Sequence, residues 1–365
     1  EGKKGGSARH DVRDRYRLQA AVGPLLRDPD TGKGPAVCGC GYSSFNIPSV
    51  DLSASESGGV ILDGVYYCDS LYMCPVCAVR RSKEIQERAK RLADAALRAG
   101  CWIYMMTLTV RHDRADDFKT LRDGIASAFR SAQSSGPYTL LKNKGLLGIF
   151  RTMEVMDNDK TGWHPHIHAL VIVDNPDESA ARNIVESLVD RYMTKIQAQG
   201  LSCTRAGQDI TLCYDAEKAA GYAAKGALEI AHGYGKVGKS GSKHPFDLLD
   251  DYATHGNTAA GQRFREYAYG MRGVPQGRIT NRIAYALAEK LGEDPKGFAD
   301  WLRNGDPADE MPEKTPIARV LPDAWDTLRS RHVHVDLIAA VEGGASYSDL
   351  LYAGWPVLPP TGDLP

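Results

Sequence analysis

The chain has 365 residues, 42% of them hydrophobic, and a formal net charge of −1. That is enough apolar material for two or three domains with a sizeable core, and too much for a disordered chain. No apolar run approaches the roughly 20 residues of a membrane-spanning helix. The near-neutral total argues against a nucleic-acid partner, but the charge is unevenly spread. Residues 285–365 hold 14 Asp and Glu against 7 Lys and Arg, so that portion carries −7 and the remainder +6. A polyanionic partner for the basic remainder is therefore plausible.

The first stretch, "EGKKGGSARHDVRDRYR", is charged and Gly-rich and lacks the apolar segment of a secretion signal. Residues 1–36 read as a flexible N-terminal arm, and the protein as cytoplasmic. Residues 37–100 form a cysteine-rich module followed by a basic helix. Five of the eight cysteines fall here, Cys38, Cys40, Cys68, Cys74 and Cys77, and in a cytosolic chain such clustering favours metal over disulfides. "CPVC" at 74–77 has knuckle spacing, so a structural Zn²⁺ held by Cys74, Cys77 and two of the other three is expected. Cys101, Cys203 and Cys213 stand alone in apolar or strand-like surroundings and read as core. A helix follows from about Ser82 to Arg98, within a segment 78–100 that carries seven basic residues against three acidic ones.

"CWIYMMTLTVRH" (101–112) reads as a central strand, and Phe118, Leu121, Ile125 and Phe129 recur at helical spacing. "GLLGIFRTMEVM" (145–156) is a second strand; the polar turn "DNDKTG" leads to a third, "GWHPHIHALVIV" (162–173). A helix from about Asp177 to Gln199 carries Ile184, Leu188, Tyr192 and Ile196 on one face. Ile210, Leu212 and Tyr214 alternate as a fourth strand, and a helix opens near Glu217. This β-α-β-β-α-β-α order contains a hairpin, which predicts an α+β fold: an antiparallel sheet with packed helices. Residues 236–275 read as linker and loops, and 276–365 as a helical C-terminal region, with "TNRIAYALAEKLG" and "DAWDTLRSRHVHVDLIAAVE" as its best helices.

The histidine strand carries the chemistry. His164, His166 and His168 alternate, so His166 and His168 share a sheet face and read as a metal site. A hairpin centred on Lys160 puts Glu154 opposite His166, adding a carboxylate to the two imidazoles. A one-residue slip would turn Glu154 to the other face. Tyr222 and Lys225 share a helix face among small residues, and a phenol of pKa about 10 beside a cation is a candidate nucleophile. A second histidine pair, His332 and His334, sits in acidic surroundings and reads as unrelated.

"MMTLTV", "HPHIH" and "YAAK", in this order and spacing, resemble the three motifs of the HUH endonuclease superfamily, and in particular the rolling-circle replication initiators of Gram-positive, especially actinobacterial, plasmids. "YCDSLYMCPVCAVRRSKEI" is similar to their cysteine-rich segment. The likeness covers about 37 to 235 and continues more faintly through "FREYAYGMRGVPQG" and "PDAWDTLR". It implies an HUH/ferredoxin-like nuclease core over 101–235. It also implies a divalent cation, Mg²⁺ or Mn²⁺, on His166 and His168, and Tyr222 as the nucleophile that nicks single-stranded origin DNA of a plasmid. Lys225 would neutralise or position phosphate, or help orient the metal, and a host helicase and polymerase are the implied partners. Related initiators place a glutamate four residues before the tyrosine. Here that position is Lys218, and Glu217 lies five before Tyr222, off the one-turn position. Two other readings stay open: a histidine-triad nucleotide hydrolase, with the middle histidine as nucleophile, and a zinc-dependent DNA-binding module without catalysis.

Overall fold

The computed structural model describes residues 12–55, 59–223, 241–306 and 314–362. In chain order the elements are α1 (Val12–Leu26), β1 (Val50–Ser55), β2 (Val60–Asp63), α2 (Pro75–Arg98), β3 (Trp102–Thr109), α3 (Phe118–Ala132), α4 (Ser135–Asn143), β4 (Leu146–Asn158), β5 (Gly162–Val173) and α5 (Glu178–Gln197). There follow β6 (Asp209–Cys213), α6 (Ala216–Ala223), α7 (Pro245–His255), α8 (Thr258–Gly270), α9 (Asn281–Leu291), α10 (Pro295–Asn304), β7 (Lys314–Val320), α11 (Pro322–Ser330), α12 (His334–Glu342) and α13 (Tyr347–Tyr352). The fold is α+β, with antiparallel sheets and packed helices. No helix of the described residues is long and apolar enough to cross a membrane. The chain divides into two units: 1–78 with 249–261 and 308–365, and 79–248 with 262–307.

The second unit is built on a four-stranded sheet of order β4-β5-β3-β6, every neighbour antiparallel. The β4–β5 hairpin pairs Glu154 with His166 and Asn158 with Gly162. Its turn chemistry fixes that register. The Asn158 side chain accepts from the Lys160 N–H at 2.9 Å, and Gly162 adopts φ +75°, where a side chain would also strike the Asp113–Arg114 backbone. Successive β5 side chains alternate faces. Trp163 meets Phe118 of α3 at 5.0 Å between ring centres, so the histidines at 164, 166 and 168 face the opposite way. Helices α3 and α5 pack on each other and on the sheet. Their predicted stripes, Phe118, Leu121, Ile125 and Phe129, and Ile184, Leu188, Tyr192 and Ile196, are all buried. Asp117 and Asp177 cap the two helices with side-chain acceptors.

In the first unit a three-stranded sheet runs β2-β1-β7. Val50, Leu52, Val320, Trp325, Leu337 and Ile338 form its buried core. Here the structure departs from the expected segmentation. Residues 314–320 are a strand, not part of a purely helical C-terminal region, because the short β1–β2 hairpin needs a third strand to persist. Pro316 is accommodated on the β7 edge, where the register with β1 shifts. The expected arm contains α1, whose Leu18, Val22 and Leu26 are fully buried at four-residue spacing. Segment 236–275, expected as linker, holds α7 and α8. Helix α2 begins at Pro75 rather than Ser82, and α4 has no counterpart in the predicted series.

The pair His332 and His334 flanks the turn between α11 and α12. His334 is fully buried, edge-on to Tyr16 at 5.0 Å and to Trp325 at 5.8 Å, and neither ring nitrogen has a hydrogen-bond partner. Burial, then the charge of Arg329, lowers its pKa to about 3. The native state thus refuses a proton that the unfolded chain takes up below about pH 6.5. This group's contribution to stability is intact above pH 6.5 and is lost as pH falls toward 3. His334→Phe should match the native protein at pH 7 and exceed it by about 2 kcal/mol at pH 5. Denaturant unfolding at the two pH values measures this; an equal difference at both would contradict it.

Candidate metal centres

Glu154 and His166 face each other across the β4–β5 ladder, and His168 lies one pleat further along the same face. The Oε2 atom of Glu154 accepts from His166 Nε2 at 2.6 Å and from His168 Nε2 at 2.9 Å. Glu154 is 3% exposed. One ligand atom from each residue falls in a group spanning no more than 4.8 Å, so the three can hold a metal ion. A carboxylate oxygen and two imidazole nitrogens form a donor set that suits a divalent cation and leaves coordination positions open.

The central strand β3 orients these rings from behind. Thr107 pairs with His168 and Thr109 with His166. The Thr107 hydroxyl lies 3.2 Å from His168 Nδ1, leaving the opposite nitrogen for the Glu154 side. Thr109 Oγ1 lies 2.9 Å from His164 Nε2, and His164 is stacked on His112 at 4.6 Å. Burial, with His166 and His112 adding to it, lowers the His164 pKa to about 4, so it is neutral near pH 7. His164 is thereby engaged outside the three-residue group.

Two features lay outside the sequence reading. His244 is 2% exposed, its Nδ1 accepts from the Phe246 N–H at 3.1 Å, and its residual charge coupling is to Glu154. Burial lowers its pKa to about 4. Its segment is tied to β4 by the Asp157–Lys243 bridge. The other feature is the Asp157–Arg263 ion pair. Arg263 also lies 4.4 Å over the Trp163 ring, and Trp163 Nε1 donates to Glu266 at 3.0 Å. Together they clamp the hairpin's tip to α8.

Helix α6 packs against the strands of the sheet through Ala219 and Ala220, both buried. Tyr222 lies on this helix, three residues after Ala219. Lys225 lies outside the described residues. The Glu217 carboxylate forms an ion pair with Lys90 of α2 and does not belong to the Glu154–His166–His168 group. Tyr267, a rival phenol, is buried among Phe118, Trp163 and Phe264, and burial drives its pKa far up. Tyr269 is 38% exposed beside Arg265.

Of the five clustered cysteines, the structure brings together Cys40, Cys68, Cys74 and Cys77. Cys40 Sγ lies 3.5 Å from Cys77 and 3.7 Å from Cys74, and Cys68 lies 3.8 Å from Cys77. All eight cysteines are free thiols. Sulfurs tetrahedrally arranged at about 2.3 Å from a zinc ion are separated by about 3.8 Å, so the spacing fits such an ion. The knuckle starts α2: the Cys74 carbonyl accepts from Ala78, and its sulfur accepts from the Cys77 N–H at 3.4 Å. Donation from Cys68, Cys74 and Cys77 holds Cys40 well below the usual thiol range, while burial pushes Cys74 up. Cys38 is left out, its sulfur 4.0 Å from the Gly23 carbonyl.

Comparison with known proteins gives these centres a context. The Replication protein family matches residues 61–178. A "Protein rep" of Streptomyces lividans is 25% identical over 363 residues, covering 80% of this chain and 79% of the relative. The chain is similar to replication proteins, and the family's own match spans about a third of it. A "Protein rep" of a Bacillus species is 34% identical over 121 residues, with 38% of that relative covered. A "Neomycin resistance protein" of Streptomyces cyanogenus is 28% identical over 149 residues, 34% of its length. The chain thus spans about a third of two of these relatives and four fifths of the other. No solved structure matches the chain at a significant level. The segment matching the replication-protein family contains Cys68, Cys74, Cys77, Glu154, His166 and His168, and ends before α6. The thiol geometry makes a specific prediction. Cys40→Ser or Cys68→Ser should lower bound metal and destabilise the protein, whereas Cys38→Ser should leave both unchanged; elemental analysis and thermal unfolding measure this.

Proposed function

We propose that the chain initiates rolling-circle plasmid replication by nicking and rejoining one strand of origin DNA through a tyrosine ester. The observation that carries this reading is the buried Glu154 carboxylate held between His166 and His168, within the segment 61–178 that matches the replication-protein family. The four-stranded antiparallel sheet with α3 and α5 packed on it supports an HUH-type nuclease core over 101–235. Glu154, His166 and His168 would hold Mg²⁺ or Mn²⁺. Bound there, the ion supplies Lewis-acid polarisation of the scissile phosphodiester and stabilises charge on the leaving oxygen.

The chain's own residues do the rest. Thr107 and Thr109 hold the imidazoles of His168 and His164. Tyr222 gives up its phenolic proton as its oxygen bonds to phosphorus, and the bond from phosphorus to the 3′-oxygen breaks. That oxygen takes up a proton and leaves as the 3′-OH that a polymerase extends. The product is a 5′-phosphotyrosyl ester. Because one ester replaces another, the reverse step rejoins the strand. Lys225 offsets the phosphate charge. Glu217 is held by Lys90 in this structure, so any part it takes in product release requires that pair to open. Cys40, Cys68, Cys74 and Cys77 would hold a structural Zn²⁺.

Single-stranded oligonucleotides tiled across a plasmid origin, labelled at the 3′ end and incubated with the protein and Mn²⁺, test the reading. A covalent protein–DNA adduct that survives denaturing detergent and is linked through tyrosine is expected, and Tyr222→Phe should abolish it without loss of DNA binding. Adduct formation by Tyr222→Phe, or a phosphohistidine adduct, would overturn the assignment. Glu154→Gln should weaken Mn²⁺ binding and nicking together. Thr107→Val should lower Mn²⁺ affinity by about 10- to 100-fold, the usual effect of losing the partner of a liganding histidine. Titration calorimetry with Mn²⁺ reads both.

A further inference from the structure

We infer that a recess in the first unit binds a phosphate group. The recess has a volume of about 220 Å³, and its walls include Gln19, Arg27, Tyr42, Arg329, Ser330 and His332. Among the described residues no Asp or Glu lines it. Pockets for drug-sized ligands measure about 300–1,000 Å³, so this one takes a small ion or a single phosphate with a few waters rather than a whole nucleotide.

The argument rests on Arg329. It is 4% exposed, and a guanidinium keeps its charge in any protein environment. Its Nη2 donates to Gln19 Oε1 at 3.0 Å and to the Cys40 carbonyl at 3.1 Å, and its cation lies 5.2 Å from the centre of the Tyr42 ring. Its Nε is buried without a partner. Every one of these partners is neutral, and among the described residues no carboxylate pairs with Arg329. A buried guanidinium in neutral surroundings is costly and calls for an anion. Ionised thiols of the Cys40 cluster supply some of that charge, and Arg329 also forms part of the recess wall. There the exposed Arg27, anchored by a 3.4 Å bond to the Gly32 carbonyl, and His332, in a left-handed conformation at φ 61°, add two more donors. Forked guanidinium donors match a tetrahedral oxyanion better than a halide. The phosphate could be free inorganic phosphate or a phosphodiester of a DNA backbone.

The full-length, metal-loaded protein is the material for the test, and Arg27→Ala/His332→Ala is the variant. Neither position belongs to the thiol cluster, whereas Arg329 supports Cys40 and Gln19 and is left intact. Thermal unfolding is followed in inorganic phosphate and in chloride of matched ionic strength. In parallel, fluorescence anisotropy follows the binding of single-stranded and duplex oligonucleotides over a salt series. If free phosphate is the ligand, it should raise the native unfolding midpoint by about 2 °C or more at saturation, the variant should lose most of that shift, and oligonucleotide binding should be the same in both. If the ligand is a DNA phosphate, the variant's slope of log affinity against log salt should fall by about one unit. A phosphate shift of equal size in both proteins would overturn the proposal. So would the absence of any phosphate-specific shift together with an unchanged salt slope.

Discussion

A carboxylate that is 3% exposed has to be answered by donors or by a cation, and in this chain two imidazoles answer Glu154. That contact exists only in one register of the β4–β5 hairpin. Shifting the strands by a single residue would send Glu154 to the helix-covered face and bury an unanswered charge there. The features around the hairpin read as protection of that register. Asn158 and Gly162 define the turn, Arg263 grips Asp157 at its tip, and β3 adds threonines behind the histidines.

The two metal-capable groups are chemically opposite. Four sulfurs lie within 4.8 Å of one another, and an ion held tetrahedrally by all four would have no position left for a substrate. One oxygen and two nitrogens on a sheet face leave positions open. The first group lies at the knuckle from which α2 starts; the second lies on one face of the four-stranded sheet.

Much of this was legible in the sequence where the contact is local. Glu154 could be placed opposite His166 because a hairpin with a short turn has period two and a definable centre. The stripes of α3 and α5 were legible for the same reason, being contained in one helix each. Thr107 and Thr109 were not, since which strand neighbours β5 depends on pairing more than fifty positions away. His244 sits in a stretch rich in Gly, Lys and Ser with no periodicity to flag it. Choosing Cys40 over Cys38 needed the short 3₁₀ turn at Ala36–Gly39, which turns only one of two neighbouring thiols toward the knuckle. The strand at 314–320 was hidden because a seven-residue edge strand containing Pro316 looks like a connection between helices.

That strand also sets a schedule for biogenesis. The β1–β2 hairpin leaves the ribosome early, but its partner β7 ends at Val320. At the usual 5–20 residues per second, the ribosome needs roughly 10 to 50 s to make the intervening chain. During that interval one edge of β1 is uncovered and the apolar residues that β7 and α11–α12 will bury are exposed. The four-stranded sheet, whose strands are contiguous in sequence from 102 to 213, can close in the meantime. Translation therefore delivers a nascent chain whose first-made unit is the last to be completed, and anything that holds the early hairpin together during the wait, a metal on the thiols included, guards it against pairing with a neighbouring chain.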